Sequence, residues 1–349
     1  MTNFMINLEK EIREQPLVLS SLKEKNKAVL HSLVNEIKSK KINNIYFVAR
    51  GTSDHACIYA QYLFGIVLGV PCTLALPSVF TQYGTKINFN NSLVIGVSQS
   101  GRAEDVNAVL MSANEQGMTT LAITNNEGSL IANTAKYHLY CNANEEKSIA
   151  ATKTFTAQMY LLALLCAEWS GDSNLISSLC EVPKHIGDAL YELPQKISAL
   201  VENLLEYKEC VVLGRGLTYS IALEGALKIL ETNKMKVKGY PISDFYHGPV
   251  AQLHNNDLAI VLAQSGVMEN DAIKMIEKLK TVGANIVVIS DKEELLLGTH
   301  NIKINSTECE YTIPFVLAIA MQLIALNLVL AKGIDPDKSD VIAKITVTK

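Results

Sequence analysis

The sequence predicts an α/β protein of two tandem three-layer αβα domains with mostly parallel sheets. Three observations carry that expectation. FVARGTSDHACIYAQYLFG and VVLGRGLTYSIALEGALKIL each read as an apolar strand, an Arg-Gly turn and a helical pattern with small residues facing inward. LVIGVSQSGRAEDV and LAIVLAQSGVMEND repeat a second strand and turn, and Gly51 to Gly216 and Gly101 to Gly266 are both spaced by 165 residues. After each Gln-Ser-Gly comes an amphipathic helix and another buried strand, LAIT at 121–124 and IVVIS at 286–290. That is a β-α-β rhythm twice over, and parallel strands joined by helices must be covered on both faces.

The elements in order follow from this pattern. Residues 1–42 read as a helical N-terminal extension, 43–170 as the first α/β domain, 171–208 as a helical linker, 209–332 as the second α/β domain, and 333–349 as a tail with turn signals and no core of its own. IPFVLAIAMQLIALNLVLA at 313–331 is long enough to span a membrane. Pro314, Gln322 and Asn327 interrupt it, aromatic anchors do not flank it, and no second such segment exists, so it reads as a helix buried inside a globular dimer.

Composition narrows the function. The 349 residues are 48% hydrophobic with a formal net charge of -4, which suits two domains with sizeable cores and offers no basic stripe for nucleic acid or anionic membrane. The seven cysteines are scattered without CxxC spacing and read as reduced thiols. The N-terminal MTNFMINLEKEIREQ lacks the apolar core of a signal peptide, which gives a cytoplasmic address as the expectation. A small ligand is expected.

Its position follows from the fold. In open parallel sheets, ligands sit beyond the carboxyl ends of the strands, where helix N-termini present unpaired N–H groups. Gly51, Thr52 and Ser53 follow the first strand, while Ser98, Gln99 and Ser100 close another, so hydroxyls and amides converge on a place suited to one phosphate. No GxxxxGK[ST] is present, and GRGLTY lacks the last glycine of GxGxxG, which argues against a dinucleotide. A single such turn would read as an ordinary serine-capped helix; two at corresponding strand ends favour phosphate. Asp54 and His55 have no further partner at ligand spacing, so no metal is assigned.

GTSDHA, SQSG, AATKTFTAQ, LGRG, IALEGALK, YHGPVA and the closing DPDK with its later AK, in this order, resemble the sugar isomerase (SIS) family of phosphosugar-binding domains, whose fold is flavodoxin-like. More narrowly, they are similar to the isomerase half of glucosamine-6-phosphate synthase and to stand-alone glucosamine-6-phosphate deaminases. The resemblance runs from about residue 44 through nearly the whole chain. It implies that Ser53, Ser98, Gln99 and Ser100 hold the sugar phosphate, and that Thr152, with the backbone around Ile149 and Ala150, lines the sugar. Glu231 falls on the base that moves a proton between carbons 1 and 2. Lys228 lies three residues before it on the same helical face, where its ammonium keeps the carboxylate ionised. Glu224 corresponds to a further sugar-contacting position. His247 matches the ring-opening histidine, contributed across a homodimer interface, and Lys344 the lysine of the C-terminal loop that meets the open-chain carbonyl. No cofactor is implied.

Taken singly, these residues have ordinary explanations: Glu with Lys at minus three is usually a solvated pair, a lone histidine usually structural, a C-terminal lysine usually exposed. Their joint match to one family is what assigns them. Two departures bear on activity. About 43 residues precede the first strand and none is cysteine, so no ammonia-generating amidotransferase is expected, and the implied reaction is hydrolytic: amino-sugar 6-phosphate to ketose 6-phosphate and ammonia. Ala151 stands where the synthase half has serine, a change that the deaminases share, and Ala103 replaces a usual phosphate-binding hydroxyl, with Arg102 beside it as a compensating cation. An aldose-ketose isomerase, a fructosamine-6-phosphate deglycase and a non-catalytic sugar-phosphate sensor remain as alternatives.

Overall fold

In the computed structural model, which describes residues 6–339 and 341, the chain gathers into two compact units. Of the described residues, the first holds Leu17–Glu146 and Lys153–Cys180; the second holds those up to Pro16, Lys147–Thr152 and those from Glu181 on.

The first unit is built on a parallel sheet of β1 (Asn44–Val48), β2 (Cys72–Leu74), β3 (Ser92–Ser98), β4 (Thr119–Thr124) and β5 (Tyr137–Tyr140), in the order β2-β1-β3-β4-β5. Ile45 of β1 faces Cys72 of β2 on one side and Leu93 of β3 on the other. Every residue of β4 is buried, as a strand covered on both faces must be. Its helices are the later part of α1 (Asn7–Ser39), then α2 (Thr52–Leu68), α3 (Pro77–Thr81), α4 (Glu104–Glu115), α5 (Leu130–Thr134), α6 (Lys153–Ser170) and the start of α7 (Ser173–Val201). Val106, Val109 and Leu110 of α4 close one face of the sheet against Val94 and Ala122.

The second unit repeats the plan with β6 (Glu209–Gly214), β7 (Lys236–Pro241), β8 (Leu258–Ala263), β9 (Asn285–Ser290) and β10 (His300–Lys303), again parallel, in the order β10-β9-β8-β6-β7. Both sheets therefore have the flavodoxin-like arrangement that the repeat predicts, with the order reversing beside the first strand of each. Around the second sheet stand α8 (Leu217–Asn233), α9 (Ile242–Phe245), α10 (Glu269–Val282) and α11 (Ile313–Ala331). Among the described residues α11 is the one helix long and apolar enough to cross a membrane, and 89% of its most apolar window is buried inside the protein. It packs on α8 at close range: a Cβ on Gly225 would lie 2.6 Å from Met321 Cε.

The repeat extends to backbone detail. Gly51 (φ 54°, ψ −131°) and Gly216 (φ 61°, ψ −127°) precede α2 and α8 in nearly the same conformation, one that residues with a Cβ rarely adopt. The preceding arginines repeat as well: Arg50 Nε lies 2.8 Å from Asp105 Oδ2, and Arg215 Nε lies 2.9 Å from Asp271 Oδ2, each aspartate in the first turn of the helix after the neighbouring strand.

Candidate active site

In the first unit the predicted phosphate residues stand at the carboxyl ends of β1 and β3, the two strands that flank the reversal of strand order. Gly51 caps α2 through its carbonyl, which accepts from Asp54 N–H (2.9 Å) and His55 N–H (3.3 Å). Ser53 is buried within the first turn of that helix. In the β3 turn, Gly101 N–H donates to Ser98 Oγ (3.2 Å) and Arg102 N–H to Ser100 Oγ (3.3 Å), so both hydroxyls act as acceptors within the turn. Their own protons point to no acceptor among the described residues.

A cavity of about 460 Å³ opens beside that turn, lined by Gln99, Ser100 and Arg102, by Asn125 and Asn126 after β4, and by Glu145 and Glu146 after β5. Gly51, Thr52, Ser53 and Ser98 are outside its lining. Asn125, to which no motif in the sequence pointed, ties these loops together. Its N–H donates to Gln99 O (3.0 Å), its Nδ2 to Asn144 O (2.6 Å), and its Oδ1 accepts from Ala143 N–H (2.9 Å). The available signal was the Asn-Asn pair directly after a buried strand, at the edge where ligands bind. Glu146 is turned to structure: it accepts from Thr154 N–H (3.2 Å) and Thr154 Oγ1 (2.7 Å) at the start of α6.

The corresponding turn of the second unit is already filled. Ser265 donates from its N–H (2.8 Å) and its hydroxyl (2.5 Å) to the carboxylate of Asp291, and Gly266 N–H donates to Glu269 Oε1 (2.9 Å). Lys292 Nζ, 2.7 Å from Glu269, holds that carboxylate's pKa below its usual range, as does the Gly266 N–H. The second unit thus presents the donors of this turn to its own side chains.

The predicted acid-base residues lie in the second unit. Helix α8 places Glu224, Lys228 and Glu231 on one face by their spacing of four and three. Lys228 Nζ is 3.3 Å from Glu224 Oε1 and 2.7 Å from Glu231 Oε2. The side chains of Lys228 and Glu224 are 2% and 3% exposed, and that of Glu231 is 18% exposed. Burial alone would lower the lysine pKa, but the two carboxylates outweigh it and push it above its ordinary value. The group is thus a fixed ammonium with one buried carboxylate and one that reaches solvent.

Ala150 and Thr152 join Lys228 around a closed void in this unit. Their loop is held by buried Glu11 of α1, whose carboxylate accepts the N–H groups of Lys147 and Ser148, the latter at 3.2 Å. Ile149 is half-buried in the same loop. His247 stands exposed in the turn after α9, its N–H donating to Asp244 O (3.0 Å), and no hydrogen bond or ion pair links its ring to the α8 cluster among the described residues. Lys344 lies outside the described residues. A further cavity of about 400 Å³ in this unit, between Lys236, Lys238, His254 and the start of β6, contains none of the predicted residues.

The chain thus duplicates a parallel α/β unit, with a serine-rich turn at the strand ends of the first copy and a buried carboxylate–ammonium cluster in the second. The SIS domain model matches residues 36–167 and 203–332, and the chain belongs to that family. It is 31% identical over 345 residues to the glutamine–fructose-6-phosphate aminotransferase (isomerizing) of Thermococcus kodakarensis, covering 96% of this chain and 57% of that protein. The chain thus spans just over half the length of the curated relatives it matches. Among solved structures it is similar to a candidate phosphosugar isomerase of Silicibacter pomeroyi, with 25% identity, a TM-score of 0.86, and 95% of this chain and 100% of that one covered. It also shares the fold of a glucosamine-6-phosphate deaminase of Thermotoga maritima, at 22% identity and a TM-score of 0.78, over 98% of this chain and 100% of that one.

Proposed function

We propose that the protein converts an amino-sugar 6-phosphate, glucosamine 6-phosphate by the resemblance of its motifs, to a ketose 6-phosphate and ammonia. The observation that carries this reading is the α8 cluster. A carboxylate that reaches solvent, held 2.7 Å from a buried ammonium, has the placement of a general base. The difference between the two Gln-Ser-Gly turns supports the phosphate assignment to Ser53, Ser98, Gln99 and Ser100, with the cation of Arg102 beside them.

The residues divide the work as follows. His247, contributed by the partner of a homodimer, assists ring opening and exposes the aldehyde at carbon 1; its exposure in the single chain suits that role. Glu231 takes the proton from carbon 2 and delivers one to carbon 1, passing through an enolamine, so that the double bond ends as a ketimine at carbon 2. Water adds to the ketimine and ammonia leaves. Glu224 and Thr152 position the sugar with the backbone at Ile149 and Ala150, and Lys344 meets the open-chain carbonyl, either stabilising its oxygen or forming a transient imine. A phosphorylated sugar is an intracellular substrate, in keeping with the expected cytoplasmic address.

The test is incubation with glucosamine 6-phosphate, following ammonia and fructose 6-phosphate together. Equal release of both supports the reading. Isomerised sugar without ammonia favours an aldose-ketose isomerase, release of a substituted amine from a fructosamine 6-phosphate a deglycase, and binding without any product a sensor. Glu231→Gln should lower turnover by about 10²–10⁴ while sugar-phosphate affinity changes little; lost affinity with surviving turnover would overturn the assignment of the base.

A further inference from the structure

Helix α11 is apolar almost throughout, yet Gln322 stands at its middle, 2% exposed. Its Oε1 accepts from Gln15 Nε2 at 2.7 Å, and the same nitrogen donates to Ile12 O at 2.9 Å. This pairing orients both amides. A backbone carbonyl can only accept, so the Gln15 atom facing Ile12 is the nitrogen, and the Gln322 atom facing that nitrogen is the oxygen. The amide nitrogen of Gln322 therefore carries its hydrogens elsewhere, and it has no hydrogen-bond partner among the described residues.

Burying an unbonded amide donor is unfavourable, and a leucine or methionine here would avoid the penalty. The location gives the polar residue a reason. Gln322 lines the same void as Lys228, Thr152 and Ala150, with Thr232 and Leu8 completing most of the wall. The void is too small to hold a water molecule, so solvent does not satisfy the donor. Its neighbours are the ammonium that holds Glu231 and two residues of the loop assigned to the sugar.

We propose that Gln322 is a substrate-positioning residue: its Nε2 donates to an oxygen of the open-chain sugar phosphate once the ligand has displaced the Lys147–Thr152 loop enough to open the void. Gln15 is the support that points it there. This inference rests on the phosphosugar reading above.

The experiment compares wild type with Gln322→Met and with the double variant Gln15→Met/Gln322→Met, in which both amides are replaced by apolar groups of similar shape. Resting heat stability, KM and kcat for glucosamine 6-phosphate, and the melting shifts given by inorganic phosphate and by glucosamine 6-phosphate are measured together. Gln322→Met removes the unbonded amide nitrogen of Gln322 but takes from one amide hydrogen of Gln15 its acceptor, and should melt close to wild type. The double variant also strips Ile12 O of its donor, because Pro16 has no N–H, and should melt lower; heat stability is therefore read on the single variant. KM should rise about 3- to 10-fold, the phosphate-induced shift should persist, and the additional shift given by the sugar should shrink. A structural role predicts the opposite pattern, reduced heat stability with KM unchanged, and that result would overturn the inference. A wild type that responds to glucosamine 6-phosphate equally with both variants refutes the inference alone. A wild type that responds to neither compound refutes the phosphosugar reading, and this inference with it.

Discussion

Replacing Lys228 with methionine tests whether the α8 cluster is an electrostatic unit or a chance alignment of long side chains. The substitution keeps volume and removes the charge that neutralises Glu224, whose side chain is 3% exposed. Removing one partner of a buried ion pair costs about 3–5 kcal/mol, because the remaining charge stays desolvated. At about 2–4 °C per kcal/mol for a unit of this size, that is a fall in melting temperature of roughly 6–20 °C at pH 8. In the wild type the lysine pKa is raised, so its contribution is fully present below its ordinary value of 10.5 and is lost only as pH rises through the raised one; between pH 5 and 9 it is constant. In the variant the Glu224 carboxylate keeps its burial and loses its cation. Adding Glu224→Gln to Lys228→Met removes the stranded charge and should recover much of the loss, measured by urea unfolding at pH 8. A deficit below about 1 kcal/mol, or a double variant no more stable than Lys228→Met alone, would refute the reasoning.

Other outcomes follow from single features. Ala103 is the N-cap of α4 in an extended conformation with no side-chain cap, so Ala103→Ser should stabilise the protein by about 0.5–2 kcal/mol in chemical denaturation and tighten sugar-phosphate binding in calorimetry. Gly51→Ala and Gly216→Ala should each cost about 1–3 kcal/mol from backbone strain, since an added Cβ at Gly51 meets no neighbour within 4 Å; thermal melts of the two variants check this. Gly225→Ala should destabilise by about 1–3 kcal/mol through overpacking against Met321, and Met321→Ala in the same chain should restore part of the loss. Glu36, whose pKa burial would raise, is instead held well below the usual range by hydrogen bonds from Lys136, Tyr137, Lys40 and Thr119. Its stabilisation is fully present above about pH 4.5 and declines as pH falls towards the lowered value, so Glu36→Gln should lower melting temperature at pH 7 and approach wild type only in strong acid.

The fold was largely legible because its signals are local. A buried strand, an Arg-Gly turn and a helix with small inward residues recur at a fixed interval, and each copy builds the same sheet order. The α8 cluster was legible for the same reason, since helical spacing alone places Glu224, Lys228 and Glu231 on one face. What escaped the sequence depends on satisfaction in three dimensions. Asn125 joins three strand-end loops, Glu11 reaches from α1 to the backbone at 147–148, and Gln322 was visible only as a polar break in an apolar run. None of these contacts follows a period, and the partner of each lies more than a helix turn away along the chain.

The two Gln-Ser-Gly turns show most clearly why a motif is not yet a site. Both follow a central parallel strand, both end in a glycine of positive φ, and both precede a helix that carries an aspartate paired to the preceding Arg-Gly turn. In the second, the donors that would hold an anion are consumed by Asp291 and Glu269; a phosphate there would have to displace two carboxylates and meet their charge. In the first, Ala103 removes even the cap that a side chain at that position would supply, and the nearest charged side chain on the turn is the exposed Arg102. Duplication thus yields two similar cradles that differ in the charge facing them: the second meets its own carboxylates, and the first carries Arg102. Exchanging that charge is the direct way to probe the difference: Asp291→Asn should loosen the second turn without creating a phosphate response equal to the first, because Glu269, fixed by Lys292, still occupies the Gly266 N–H.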